Sequence, residues 1–123
     1  MAFNFFNKRN KKKERSAEIL TENSIILGAE ANDKYEAIEI VGDLLLKEGK
    51  VEASYIDAMK AREDMLSTYI GNGVAIPHGV GESKGSIIES GISVAQFPKG
   101  VDFGDGNIAY IVIGIAGKDN DHL

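Results

Sequence analysis

Apolar residues change their spacing twice along this chain, and each change marks a different kind of element. Ile25-Ile26-Leu27 is a short apolar run closed by Gly28 and predicts a short strand. Asp33 followed by Glu36 has the spacing of a capping box, in which each side chain satisfies a free backbone N–H. Helical spacing follows: Ala37, Ile38, Val41, Leu44 and Leu45 form one stripe, with Lys34, Glu39, Asp43 and Lys47 mostly off it. Gly49 is a suitable stop. The stripe reads as core rather than as a partner groove. A second helix is predicted from about Ala53 to Asp64, with Tyr55, Ile56 and Met59 inward. Arg62 falls in its last turn, where a cation suits the helix dipole whatever else it does.

From Ser67 the period becomes two and glycines gather. Gly71-Asn72-Gly73 signals a turn into a strand over Val74–Ile76. Ile87–Phe97 alternates as one strand, or as two broken at Gly91, and Phe97–Val101 with Pro98 reads as a turn. Ile108–Ala116 is almost continuously apolar and β-branched, which suits a central strand covered on both faces. These elements predict an α/β fold, a layered sandwich with a mixed β-sheet flanked by helices. Two helices are too few to cover both faces, so a helical segment beyond Leu123 is expected.

Charge divides the chain. Met1–Arg15 holds six Lys and Arg against one Glu, and the remainder holds eight against eighteen Asp and Glu. The acidic body argues against nucleic acid as a partner. Residues 1–16 read as a disordered basic leader before a domain over 17–123. Phe3, Phe5 and Phe6 beside the basic cluster also fit a weak membrane-surface contact of residues 1–15 with anionic lipid. The chain has no cysteine, which excludes disulfides, thiolate zinc sites and a cysteine nucleophile, and makes the cytoplasm the default location. No apolar run approaches the roughly 20 residues of a membrane helix.

The candidate chemistry lies at Pro77-His78-Gly79. Proline fixes its own φ and favours an extended residue before it, so Ile76 should end the strand and His78 should stand on a rigid corner. Gly79 and Gly81 would leave open surface beside the ring and let another body approach. A neutral imidazole has one ring nitrogen free as a nucleophile. The plainer reading is a half-buried histidine bonded to backbone, and local pattern leaves both open. Other chemistry fits worse. There is no HExxH pair, GxxxxGK[ST] loop or GxGxxG turn.

"REDMLSTYIGNGVAIPHG", Arg62 to Gly79, resembles the signature of the mannitol/fructose-type (type 2) enzyme IIA domains of the bacterial phosphotransferase sugar-uptake system. "GISVAQFPKGVDFG" and "IAYIVIGIAGKDNDHL" resemble the mannitol branch, and the likeness extends from about Leu20 to Leu123. The resemblance implies an α/β sandwich and a phosphocarrier. His78 would take a phosphoryl group from the phosphohistidine of HPr and pass it to a cysteine of enzyme IIB, which serves the membrane component IIC. Arg62 and His122 would flank the imidazole. No metal or organic cofactor is implied. Val80 departs from relatives that carry a hydroxyl or a longer polar residue there. A regulatory module, phosphorylated to control a transcription factor or transporter, is the alternative.

Overall fold

The computed structural model describes residues 18–118. The basic leader, with its suggested lipid contact, and His122 lie outside the described residues. Strand β1 is Ile25–Ile26, helix α1 Lys34–Lys47, helix α2 Ser54–Met65, β2 Tyr69–Gly71, β3 Val74–Ala75, β4 Gly91–Asp102 and β5 Ile108–Ala116. Short 3-10 turns occupy Glu22–Ser24 and Gly81–Ser86.

Helix α1 starts as its sequence predicts, with one shift. The Asp33 carboxylate accepts from the Glu36 N–H at 2.9 Å, but the Glu36 side chain accepts from Asn32 N, one residue before the cap. Ala37, Ile38, Val41 and Leu45 are buried as expected, whereas Leu44 is half-buried. Gly42 completes the inner face, and it has to be glycine. A Cβ there would lie 2.8 Å from Ile56 Cγ1, so its absence lets α2 pack close against α1.

The sheet has five strands in the order β1-β4-β5-β3-β2. Strands β1/β4 and β3/β5 pair parallel, while β4/β5 and β2/β3 pair antiparallel, giving the mixed sheet. The central position of β5 was legible in its sequence; its expected cover on both faces is not what the described residues show. Helix α1 packs against β5, in which Ala109, Val112, Gly114 and Ala116 are buried, while Ile111, Ile113 and Ile115 are half-buried. Helix α1 lies close on the sheet, with Ser93 Oγ donating to Val41 O at 2.7 Å.

The turn expected at Phe97–Val101 is instead part of β4. Proline has no N–H for a ladder, so the strand passes Pro98 through a register shift between Gln96 and Val101 and then pairs again with β5. Burial of Phe97 and Val101 holds both sides of that irregularity to the core. Gly91 is where β4 begins; the earlier Ile87 makes only an isolated bridge to Val51.

Candidate functional site

His78 follows β3 by three residues and stays beside the central strand. Ile115 N donates to Pro77 O at 3.0 Å, and His78 and Ile115 form an isolated parallel bridge. The imidazole therefore stands at the carboxyl end of the parallel β3/β5 pair, where open α/β sheets place their ligand crevices. Its Nδ1 is 2.8 Å from Ile76 O. A carbonyl oxygen only accepts, so Nδ1 carries the ring proton and Nε2 holds the lone pair. The plain reading of this histidine, a backbone hydrogen bond, and the nucleophilic one thus meet in a single side chain: the bond fixes which nitrogen is available.

Tyr55 of α2 secures the other side of the corner. Its hydroxyl accepts from Gly79 N at 2.9 Å and donates to Ile115 O at 2.8 Å. Burial is the main cause of a raised Tyr55 pKa, opposed by the Gly79 N–H, and the hydroxyl stays protonated as that donor. A Cβ on Gly79 would lie 2.6 Å from Tyr55 Cε1 and 2.5 Å from Ser83 Oγ. The role expected for Gly79 is corrected accordingly. Its missing side chain makes room for Tyr55 and Ser83 of the same chain rather than for an incoming body.

A cavity of about 320 Å³ opens beside the ring, with His78, Tyr55, Val80, Lys84, Ile115 and Gly117 on its walls. Lys84, from the 3-10 turn, supplies the charged side chain of that lining. Val80 gives an apolar part of that wall. Arg62 is not among the residues that line this cavity. It is half-buried near the end of α2, and its Nη1 donates to Leu66 O at 2.6 Å, which satisfies a helix-terminal carbonyl. His122 lies outside the described residues. Among the described residues no group of three or more His, Cys, Asp and Glu side chains could hold a metal ion.

Sequence reasoning passed over Glu63, the neighbour of Arg62. Its side chain is fully buried. One oxygen accepts from Thr68 N at 2.9 Å and Thr68 Oγ1 at 2.6 Å, and the other lies 3.2 Å from Lys34 Nζ. Burial alone would raise the pKa of this carboxyl; the hydrogen bonds from Thr68 and Ser67 and the Lys34 ammonium outweigh burial, and the net direction is down. The signal was present: Tyr55, Met59 and Glu63 recur at four-residue spacing and so share one helix face. Tyr55 was read as core alone, and Lys84 carried no signal, because its 3-10 turn has no periodicity.

Fold and site together define an α/β domain that presents one histidine, with one ring nitrogen tied and the other open, at the carboxyl end of parallel strands. The family model for the phosphoenolpyruvate-dependent sugar phosphotransferase system, EIIA 2, matches residues 18–123, and the chain belongs to that family. It is 53% identical over 108 residues to the mannitol-specific phosphotransferase enzyme IIA component of Geobacillus stearothermophilus, covering 88% of this chain and 74% of that protein. It is 49% identical over 119 residues to the mannitol-specific EIICBA component of Buchnera aphidicola, covering 95% of this chain but 19% of that longer protein. Among solved structures, the crystal structure of IIA mannitol from Escherichia coli matches with a TM-score of 0.79 at 43% identity, over 84% of this chain and 74% of that one. The complex of enzyme IIA and phosphorylated enzyme IIB of the same system matches with a TM-score of 0.80 at 42% identity, over 84% and 73%.

Proposed function

We propose that the chain is the enzyme IIA phosphocarrier of a mannitol-type phosphotransferase system, accepting a phosphoryl group on Nε2 of His78. The observation that carries this reading is the 2.8 Å bond from Nδ1 to Ile76 O, which leaves Nε2 as the nucleophile. The donor is phospho-HPr. The Nε2 lone pair forms the new P–N bond as the donor's P–N bond breaks, and the donor imidazole keeps that electron pair. No proton moves on His78. Its Nδ1–H remains on Ile76 O, whose carbonyl dipole faces the positive charge the ring acquires. A thiolate of enzyme IIB then attacks phosphorus and Nε2 leaves with its pair, so that IIB, acting with the membrane component IIC, drives import. Such transfers ask the protein mainly for positioning and compensating charge.

In this reading Lys84 meets the phosphoryl oxygens in the cavity. Arg62 and His122 complete the charge around the group; Arg62 would first release Leu66 O, and its planar fork then suits phosphate. Residues 17–123 form the carrier domain, placed in the cytoplasm; no described helix is long and apolar enough to cross a membrane. Mannitol rests on relatives near half identity that carry that name. A regulatory role is less favoured, since the nitrogen regulatory protein IIA-Ntr of Neisseria meningitidis is 26% identical with a TM-score of 0.66.

The test is incubation of the full chain with phosphoenolpyruvate, enzyme I and HPr, followed by intact mass. One phosphoryl group, labile in acid and stable in base, is expected on the parent and none on His78→Ala. A folded parent that takes up no phosphoryl group, or a His78→Ala protein that still does, overturns the reading.

A further inference from the structure

The buried carboxylate of Glu63 has no part in the transfer just described, yet it begins a chain of bonds that ends on the imidazole. Glu63 holds both the N–H and the hydroxyl of Thr68. Thr68 O accepts from Ile76 N at 3.0 Å. Ile76 O accepts from His78 Nδ1 at 2.8 Å, and Pro77 stiffens the one residue between them. Thr68 is itself buried, so its polar groups cannot turn to water if Glu63 is lost.

We propose that Glu63 is a positioning residue for the phosphoryl transfer: it fixes Thr68, and through Thr68 the Ile76 carbonyl that keeps the His78 proton on Nδ1. The coupling is mechanical. Each carbonyl in the chain belongs to a different peptide group from the N–H before it, so charge on Glu63 does not pass to the ring through bonds. What passes is placement. A hydrophobic residue could fill the space of Glu63 without desolvating a charge, but it could not accept two donors of one residue and hold the corner that leads into β2. Lys34 neutralises the carboxylate from the other side, which lets it stay buried. If the Ile76 carbonyl shifts, the imidazole can place its proton on either nitrogen, and molecules protonated on Nε2 have no lone pair there to offer.

The inference rests on His78 being the acceptor, and its test separates the two claims. Long-range proton–nitrogen correlation spectra of the full chain report which ring nitrogen of His78 is protonated, with no donor present. The parent should show Nδ1–H alone. Glu63→Gln keeps shape, but its amide has one accepting end where Thr68 and Lys34 donate to two, so Thr68 loses its fixed partner and the spectrum should show the proton shared between both nitrogens. Its phosphorylation rate at saturating phospho-HPr should fall about twofold from the shared proton, and to about tenfold in all as the ring loses its placement, with KM changed less than about twofold. Thr68→Val, which removes the hydroxyl and keeps the shape, should show a smaller shift of the same kind, and Thr68→Ser should restore the parent spectrum. Thr68→Val decides the question if Glu63→Gln does not fold. Folded variants that lose stability but keep Nδ1–H alone overturn the proposal, because that is the behaviour of a purely structural carboxylate. A parent that shows Nδ1–H yet takes no phosphoryl group counts against the acceptor reading and leaves the positioning claim to the spectra.

Discussion

The two helices of this domain follow the same rule to different ends. Helix α1 buries Ala37, Ile38, Val41, Gly42 and Leu45 on one face, and its inward side is wholly apolar or glycine. Helix α2 buries Tyr55, Met59 and Glu63, so two of its three buried side chains carry polar atoms. In α1 the inward face meets the sheet and only fills space. In α2 it meets the two flanks of the histidine corner, Gly79 through Tyr55 and Thr68 through Glu63. A helix that must grip a loop needs hydrogen-bonding groups inside, and those groups blur its apolar stripe. The helix easiest to read thus builds the fold, and the harder one builds the site.

Removing the anchor of each helix should separate stability from function. Glu63→Ala is the largest expected effect. It leaves the Thr68 donors and Lys34 without their partner, for a loss of about 3–5 kcal/mol in urea denaturation, and slows phosphoryl uptake per folded molecule as well. The acid side of the stability profile should change with it. The folded pKa of Glu63 lies below its unfolded value, so its contribution is complete above the unfolded pKa and fades as pH falls through the folded one. The variant should therefore lose less stability than the parent on acidification. Leu45→Ala comes next. It opens a cavity under α1 at a site with no exposed surface, costing about 2–5 kcal/mol while uptake per folded molecule is unchanged. Equal damage to uptake by both would erase the contrast between the helices. Tyr55→Phe is the smallest. It removes the hydroxyl that joins Gly79 N to Ile115 O without changing shape, for about 1–3 kcal/mol, with a fall in transfer rate that sets Tyr55 apart from Leu45.

Wherever periodicity carries the information, the fold was legible. The α1 stripe, the Gly49 stop and the central place of β5 follow from spacing and β-branching alone. Pro98 misled because proline usually ends a strand, and here long-range pairing of Val101 and Asp102 with β5 overrides that local signal. The His78 corner was legible from Pro77, but the meaning of Gly79 was not, since Tyr55 comes to it from 24 residues earlier. Arg62 shows the reverse case. The family resemblance implies a flank to the imidazole, whereas its sequence context, a cation in the last helical turn, is met by the bond to the Leu66 carbonyl.

The central claim is that the bond to Ile76 O selects the nucleophilic nitrogen. Nitrogen and phosphorus NMR of the chain after transfer from phospho-HPr tests it most directly. Phosphorus coupled to Nε2 of His78, with Nδ1 still protonated, is the predicted result. Phosphorus on Nδ1, or on any other side chain, would contradict the account.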